Sequence, residues 1–248
     1  MLLKKTVATA LLILSMFSLA LISTASAAGS ITLTPTAQAP GATVTITGTG
    51  FGATKTVGIG LGGEVAVSGE AHTPTGTGTG PYMTRTNFYP LKPGSLTMHS
   101  DVSGTESDWT DNGDGTIQGS GTYAAGGTVN YATGVFGRSS TTDISSYTIV
   151  FTANYVRYQY NVTPAGALNT TSSGTFTTTI TVPAGLANSN YNVTVIDSGG
   201  ARAVATLNVN SAIPEALPLG AMMLLTIFAA ASGSWYFRKR PTIATRTL

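Results

Sequence analysis

Residues Gly48 to Ala53, GTGFGA, follow the β-branched run VTIT with the spacing G-x-G-x-x-A, which in dinucleotide-binding folds is the turn that cradles a pyrophosphate. Glu70 stands about twenty residues on, where an acid would meet the ribose. That chemistry needs a helix directly after the turn, because its N-terminal amides and dipole hold the phosphate. Here the chain continues TKTVGIGLGG, which is glycine-broken and strand-forming, and no βα alternation comes after it. The glycines are expected instead to shape a turn that lets Phe51 plug a core. No cofactor is expected.

Four other groupings carry polar chemistry. Asp108, Asp111 and Asp114 cluster in DWTDNGDGT, where hard oxygens could hold Ca²⁺. The D-x-D-x-D-G spacing of a calcium loop is not met, however, and Asn112-Gly113 and Asp114-Gly115 are hairpin-turn pairs, so a turn is the expected reading. His99-Ser100-Asp101 spells triad letters, but on a strand Ser100 points away from its neighbours, and no nucleophile elbow supports it. His72 and His99 read as surface residues, and no catalytic set is expected. Tyr155, Arg157 and Gln159 alternate with Val156, Tyr158 and Tyr160. On a strand the first three would form one face able to stack on and hydrogen-bond sugars, or would simply be half-buried at a sheet boundary. Asn161, Asn169 and Asn192 each open an N-x-T sequon and are glycan acceptors if the chain is exported to a glycosylating compartment.

The elements that must position these residues read as strands. ATVTITG, TVGIGLG, GSLTMHS, GTVNYATGVF, SYTIVFTANYVRYQY, GTFTTTITV, NYNVTVID and ARAVATLNVN alternate with period two between Gly, Asn-Ser and Asp-Ser-Gly-Gly turns. Such a pattern predicts an all-β, sandwich-like fold. In GTFTTTITV, Phe176, Thr178, Ile180 and Val182 share one face, with the threonines between them on the other. The stretch TPTGTGTGPY from Thr73 reads as a flexible Thr/Gly linker.

Composition narrows the function. The 248-residue chain has no Cys and few charges, so its fold rests on core burial alone. Between Ala28 and Ala212 there are six Lys or Arg against nine Asp or Glu, a mildly acidic balance without the basic footprint of a nucleic-acid binder.

The termini carry the rest of the charge. Residues 1–27 have a basic start at Lys4-Lys5, an apolar run and an Ala25-Ser26-Ala27 site, the pattern of a signal peptide cut between Ala27 and Ala28. Residues 217–237 form a second apolar segment, long enough as a helix (roughly 30 Å) to cross a bilayer. The basic tail 238–248 begins Arg238-Lys239-Arg240 and places the C-terminus in the cytoplasm. Pro214-Glu215, the apolar span and the basic cluster in that order resemble the PEP-CTERM and archaeal PEF-CTERM sorting tails, with Ala216 where the archaeal form carries an aromatic. The resemblance implies cutting near Pro214-Glu215 by a sortase-like transpeptidase; the alternative is an ordinary single-pass anchor.

ITLTPTAQAPGATVTITGTGFGATKTVGIGLGG, with its Pro40-Gly41 turn ahead of V-x-I-x-G-x-G-F, resembles the first half of an immunoglobulin-like domain of the IPT/TIG type. GTFTTTITVPAGLANSNYNVTVIDSGGARAVATLNVN resembles the second half. The resemblance implies one sandwich built from 30–66 and 166–210 and split by an inserted β domain at 73–163, without catalytic residues of its own. The expected protein is a non-enzymatic, membrane-anchored structural or adhesive surface protein of an archaeal or bacterial envelope, facing envelope proteins or glycans. The alternative is a carbohydrate- or protein-binding module using the Tyr155–Arg157–Gln159 face. Oligomeric state is not readable from the sequence.

Overall fold

A computed structural model describes residues 29–102, 104–144, 147 and 149–211. The expected signal peptide with Ala27 and Ala28, the motif Pro214-Glu215, the span 217–237 and the tail lie outside the described residues. The described chain is all-β, as the alternation predicts, with no helix. No helix among the described residues is long and apolar enough to cross a membrane.

The first sheet has three antiparallel strands, β1 (Ser30–Thr34), β3 (Thr43–Thr49) and β12 (Phe176–Thr181), with β3 central. The short β2 (Ala37–Gln38) crosses to the edge of a second sheet, beside β14 (Arg202–Val209), β13 (Ser189–Asp197) and β4 (Val57–His72). Alternation sets what lies between the two sheets. Val44 and Ile46 of β3, Phe176 and Ile180 of β12, Ile59 and Leu61 of β4, and Val193 and Val195 of β13 point inward and are buried. Thr43, Thr47, Thr177 and Thr181 point to solvent.

β4 does not end with this sandwich-like half. Its sixteen residues run on to pair with β11 (Phe151–Asn161), and the sheet then continues through β6 (Thr97–Val102), β7 (Thr105–Asp111), β8 (Thr116–Gly121), β9 (Gly127–Asn130), β10 (Val135–Arg138) and β5 (Tyr82–Arg85). This part rolls over on itself. Phe136 of β10 meets His72 of β4 edge-on at 5.5 Å, although four strands separate β10 from β11 in the sheet order. Thr75 and Met83 exchange two backbone hydrogen bonds, of 3.0 and 2.9 Å, which tie the stretch after β4 to β5 at the far edge. The roll encloses a second core of Trp109, Tyr131, Phe136, Ile144, Phe151 and Tyr155, among others.

The segment read as a linker is therefore a built loop. Besides the Thr75–Met83 pair, the Tyr82 hydroxyl donates to Gly78 O at 2.7 Å and Ser140 N donates to Thr79 O at 2.8 Å. The expected division between 66 and 73 also falls within or just after the continuous strand β4, so the two cores share backbone.

VGIGLGG in β4 explains how the halves meet. Val57, Ile59 and Leu61 face the first core, and the alternating glycines leave the opposite face bare of side chains. A Cβ on Gly58 would sit 2.8 Å from Ala132 Cα and 2.9 Å from Pro90 Cβ, and one on Gly60 would sit 2.5 Å from the Tyr158 ring. These glycines do not break the strand; they let the rolled half and the Tyr158 ring lie directly on the sheet.

Candidate functional site

The structure gives Gly48, Gly50 and Phe51 of the apparent dinucleotide turn another purpose. Gly48 leaves room for Phe176, whose ring would lie 2.1 Å from a Cβ there, and Gly50 turns with φ +75°. Phe51 is buried and meets Phe176 edge-on at 5.5 Å, as expected of a core plug. The turn leads into β4, a strand, and not into a helix. Glu70, the supposed ribose partner, is almost fully covered: it accepts from Asn87 N at 2.9 Å and from the Tyr155 hydroxyl at 2.5 Å, and lies 2.6 Å from His72 Nε2.

The three aspartates do not converge. Asp108 is exposed on β7 and pairs with His99 Nδ1 at 2.8 Å, whereas Asp111 points to the other face of the same strand and is buried. Asp111 accepts from Gly94 N, Gly113 N and the Tyr131 hydroxyl, so its lone pairs fix loops. Burial together with this bond raises the Tyr131 phenol's pKa well above its ordinary value. Asp114 folds back on Thr116 at 2.9 Å to N, inside the turn where Gly113 and Gly115 take positive φ. No group of three His, Cys, Asp or Glu among the described residues is placed to hold a metal ion.

The histidines need one correction. His99 lies at the surface, where the Asp108 hydrogen bond raises its pKa, but His72 is buried, because the roll of the sheet brings Phe136 over it. Ser100 is buried on the face opposite His99 and Asp101, as strand alternation requires.

Tyr155, Arg157 and Gln159 alternate along β11 but are not accessible together: Tyr155 is buried, and this corrects the expected three-residue binding face to Arg157 and Gln159. β4 bulges against β11 at two places, between Ala153 and Tyr155 and between Tyr158 and Tyr160, where Gly69 and Gly62 take positive φ. β11 thereby passes from one core to the other, and both Tyr155 and Tyr158 are buried on it. Desolvation and the Glu70 bond push the Tyr155 phenol up. Desolvation pushes the Tyr158 phenol up to about 12.

Arg157 and Gln159 remain accessible, and they meet residues that sequence reasoning did not select. Asn87 and Phe88, from the segment between β5 and β6, stand across from them. With Tyr160 and Asn161 they line an open groove of 570 Å³. Phe88 is 45% exposed, and the Arg157 guanidinium carbon lies 4.4 Å from its ring centroid. Arg157 Nη1 donates to the carbonyls of Tyr158 and Gln159, at 3.2 and 3.1 Å. Its Nε is buried without an acceptor. A second groove of 470 Å³, running along Val162, Thr179 and Ile180, shares Asn161 and Pro183 with the first and continues it. The only signal for Asn87 and Phe88 in the sequence was an aromatic pair before a proline, NFYP.

The sequon asparagines Asn161, Asn169 and Asn192 are all exposed. They differ in setting: Asn192 lies within β13, and its Thr194 is buried. Thr163 of the first sequon accepts from Ile59 N at 2.8 Å, while Asn169 and Thr171 are both exposed outside the strands.

With this geometry established, comparison with known proteins adds no relative: no protein-family model matches the chain, and neither the curated proteins nor the solved structures give a match.

Proposed function

We propose that the chain is a non-enzymatic surface protein whose β body is held outside the cell by the apolar segment 217–237, in a structural or adhesive role. The observation that carries this reading is how firmly the two halves are joined. The rolled half lies on the glycine-paved face of β4, and Gly200 packs against the Gly113 carbonyl, with room for no Cβ between them. Beside that contact the buried Asp197 accepts from Gly52, Gly199 and Ala201 N at 2.9 to 3.0 Å and pins the β13–β14 turn. A body built this way holds its outer surface at a fixed distance and angle from the membrane.

In this reading the residues 30–66 and 166–210 make an IPT/TIG-like immunoglobulin-like sandwich, and 73–163 is the domain it displays. Pro214-Glu215 would be a sorting motif, and the exposed sequon asparagines would carry envelope glycans. The test is the intact mass of the native protein extracted from its own cell envelope. A mass beginning at Ala28 and ending near Glu215, with sugar increments, supports sorted display. A mass from Ala28 to Leu248 keeps the anchor and removes the sorting motif. A soluble cytoplasmic protein retaining Met1 would overturn the proposal.

A second reading, a binding module for a carbohydrate or a partner protein, is favoured by the groove around Arg157 and Phe88.

A further inference from the structure

We infer that the groove between the 87–89 segment and β11 binds a carboxylated polysaccharide, with Arg157 reading the carboxylate and Phe88 stacking on a sugar ring. The inference rests on the binding reading of this groove and names its ligand class.

Charge is the first argument. Arg157 is the groove's cation, and none of the described residues lining the groove is acidic. The nearby carboxylates are already engaged: Glu64 lies 2.7 Å from Lys92 Nζ and 3.5 Å from Arg202 Nη2, and Glu70 is enclosed by Tyr155, His72 and Asn87 N. Arg157 spends Nη1 on two backbone carbonyls, which fix its plane, while Nε and Nη2 have no acceptor among the described residues. Nε is sealed within the protein, so Nη2 is the donor that remains for a carboxylate oxygen of a ligand.

The rest of the lining suits a sugar better than an acidic peptide. Asn87, Gln159 and Asn161 offer amides that both donate and accept, as ring hydroxyls require. Phe88 presents a half-exposed ring of the kind that covers the apolar face of a pyranose. A peptide would be held by enclosed side-chain pockets, and this groove is shallow and open. Its 570 Å³ falls within the range of small-ligand sites, about 300–1,000 Å³, and its continuation past Asn161 gives a chain of sugars somewhere to run.

The experiment uses full-length protein in detergent micelles, produced without N-glycosylation so that Asn161 is bare. Titration calorimetry compares trigalacturonate and a hyaluronan hexasaccharide with their carboxyl-reduced, neutral counterparts and with a hexaglutamate peptide. The expected result is saturable binding of at least one acidic oligosaccharide, weakened roughly tenfold or more on carboxyl reduction and in Arg157→Gln. Arg157→Lys, which keeps the charge but loses the guanidinium plane that the two carbonyls fix, should recover only part of the loss. Phe88→Ala, a surface change that leaves both cores intact, should weaken binding several-fold with an unchanged circular dichroism spectrum. Absence of binding to both acidic oligosaccharides overturns the inference, as does equal binding of the neutral counterparts. Tighter binding of hexaglutamate overturns it in favour of an acidic protein partner.

Discussion

The two halves of the molecule hold their cores together by different means. The sandwich-like half is filled by Val, Ile and Leu from alternating strands, with two phenylalanines at one end and threonines outside. The rolled half is filled by rings and encloses polar groups: Trp109, Tyr131, Phe136, Phe151 and Tyr155 surround or adjoin His72, Asp111 and Arg138. Arg138 has no exposed surface and no hydrogen-bond acceptor among the described residues. It sits 4.3 Å from the centroids of both Trp109 and Phe151, and 5.3 Å from that of Tyr82. Stacking on rings returns part of the hydration it loses, and desolvation lowers its pKa to about 10. An aliphatic sandwich needs only the right pattern, whereas the rolled core depends on individual polar side chains placed by the curl of the sheet.

Alkali should separate the halves most strongly. Tyr131, Tyr155 and Tyr158 all have phenol pKa values raised by burial, and all belong to the rolled core. Above pH 10 the unfolded chain ionises them while the folded chain keeps them protonated. Stability is therefore intact below pH 10 and falls as pH rises, by about 1.4 kcal/mol per pH unit for each phenol. Arg138 acts in the opposite sense: its lowered pKa relieves the buried charge above about pH 10, so it offsets one phenol of the three. Urea midpoints at pH 9 and 11.5 would measure the net drop, and hydrogen exchange should show β9 and β10 opening before β3. Equal opening of both halves would break the comparison.

Asp197→Ala should cost about 3 kcal/mol, because three N–H groups of the loops that join the halves lose their acceptor together. Gly58→Val places a side chain against the Ala132 backbone and should cost about 2 kcal/mol, measured as loss of cooperativity between the halves in denaturant. Arg138→Met removes a buried charge without an acceptor and keeps most of the volume. It should leave stability unchanged or raise it by about 1 kcal/mol, and a large loss would mean that ring stacking outweighs desolvation.

The smallest effect concerns the surface. His99 should titrate above 6.5, its reference value, and fall back in Asp108→Asn, as read from its ring proton shifts. Its contribution is present below pH 6.5 and lost as pH rises through the elevated pKa, and solvent keeps it slight.

Much of the strand pattern was legible because alternation is a local property. GTFTTTITV shows which side chains turn inward without reference to the rest of the chain, and Phe51 showed as a core plug because the glycines around it could serve no helix; in NYNVTVID the rolled half buries the other face as well. Arg157 and Gln159 were legible as accessible polar residues on a strand. Their partners Asn87 and Phe88 were not, since they arrive from a segment with no pattern of its own. Tyr155 and His72 were misplaced because other parts of the chain cover them: Glu70 takes the Tyr155 hydroxyl, and the roll of the sheet brings Phe136 over His72.

Residue order by itself determined the all-β character, the aliphatic inward face of the first core and the glycine turns, each set by period-two alternation and backbone freedom within a few residues. Tertiary structure alone decided that VGIGLGG is one continuous strand bearing a neighbour on its bare face, that Arg138 lies among rings, and that Arg157 meets Phe88 across a groove. Each of these depends on where a distant part of the chain comes to rest, and packing between sheets is fixed by their twist and closure, not by the order of residues along any one strand.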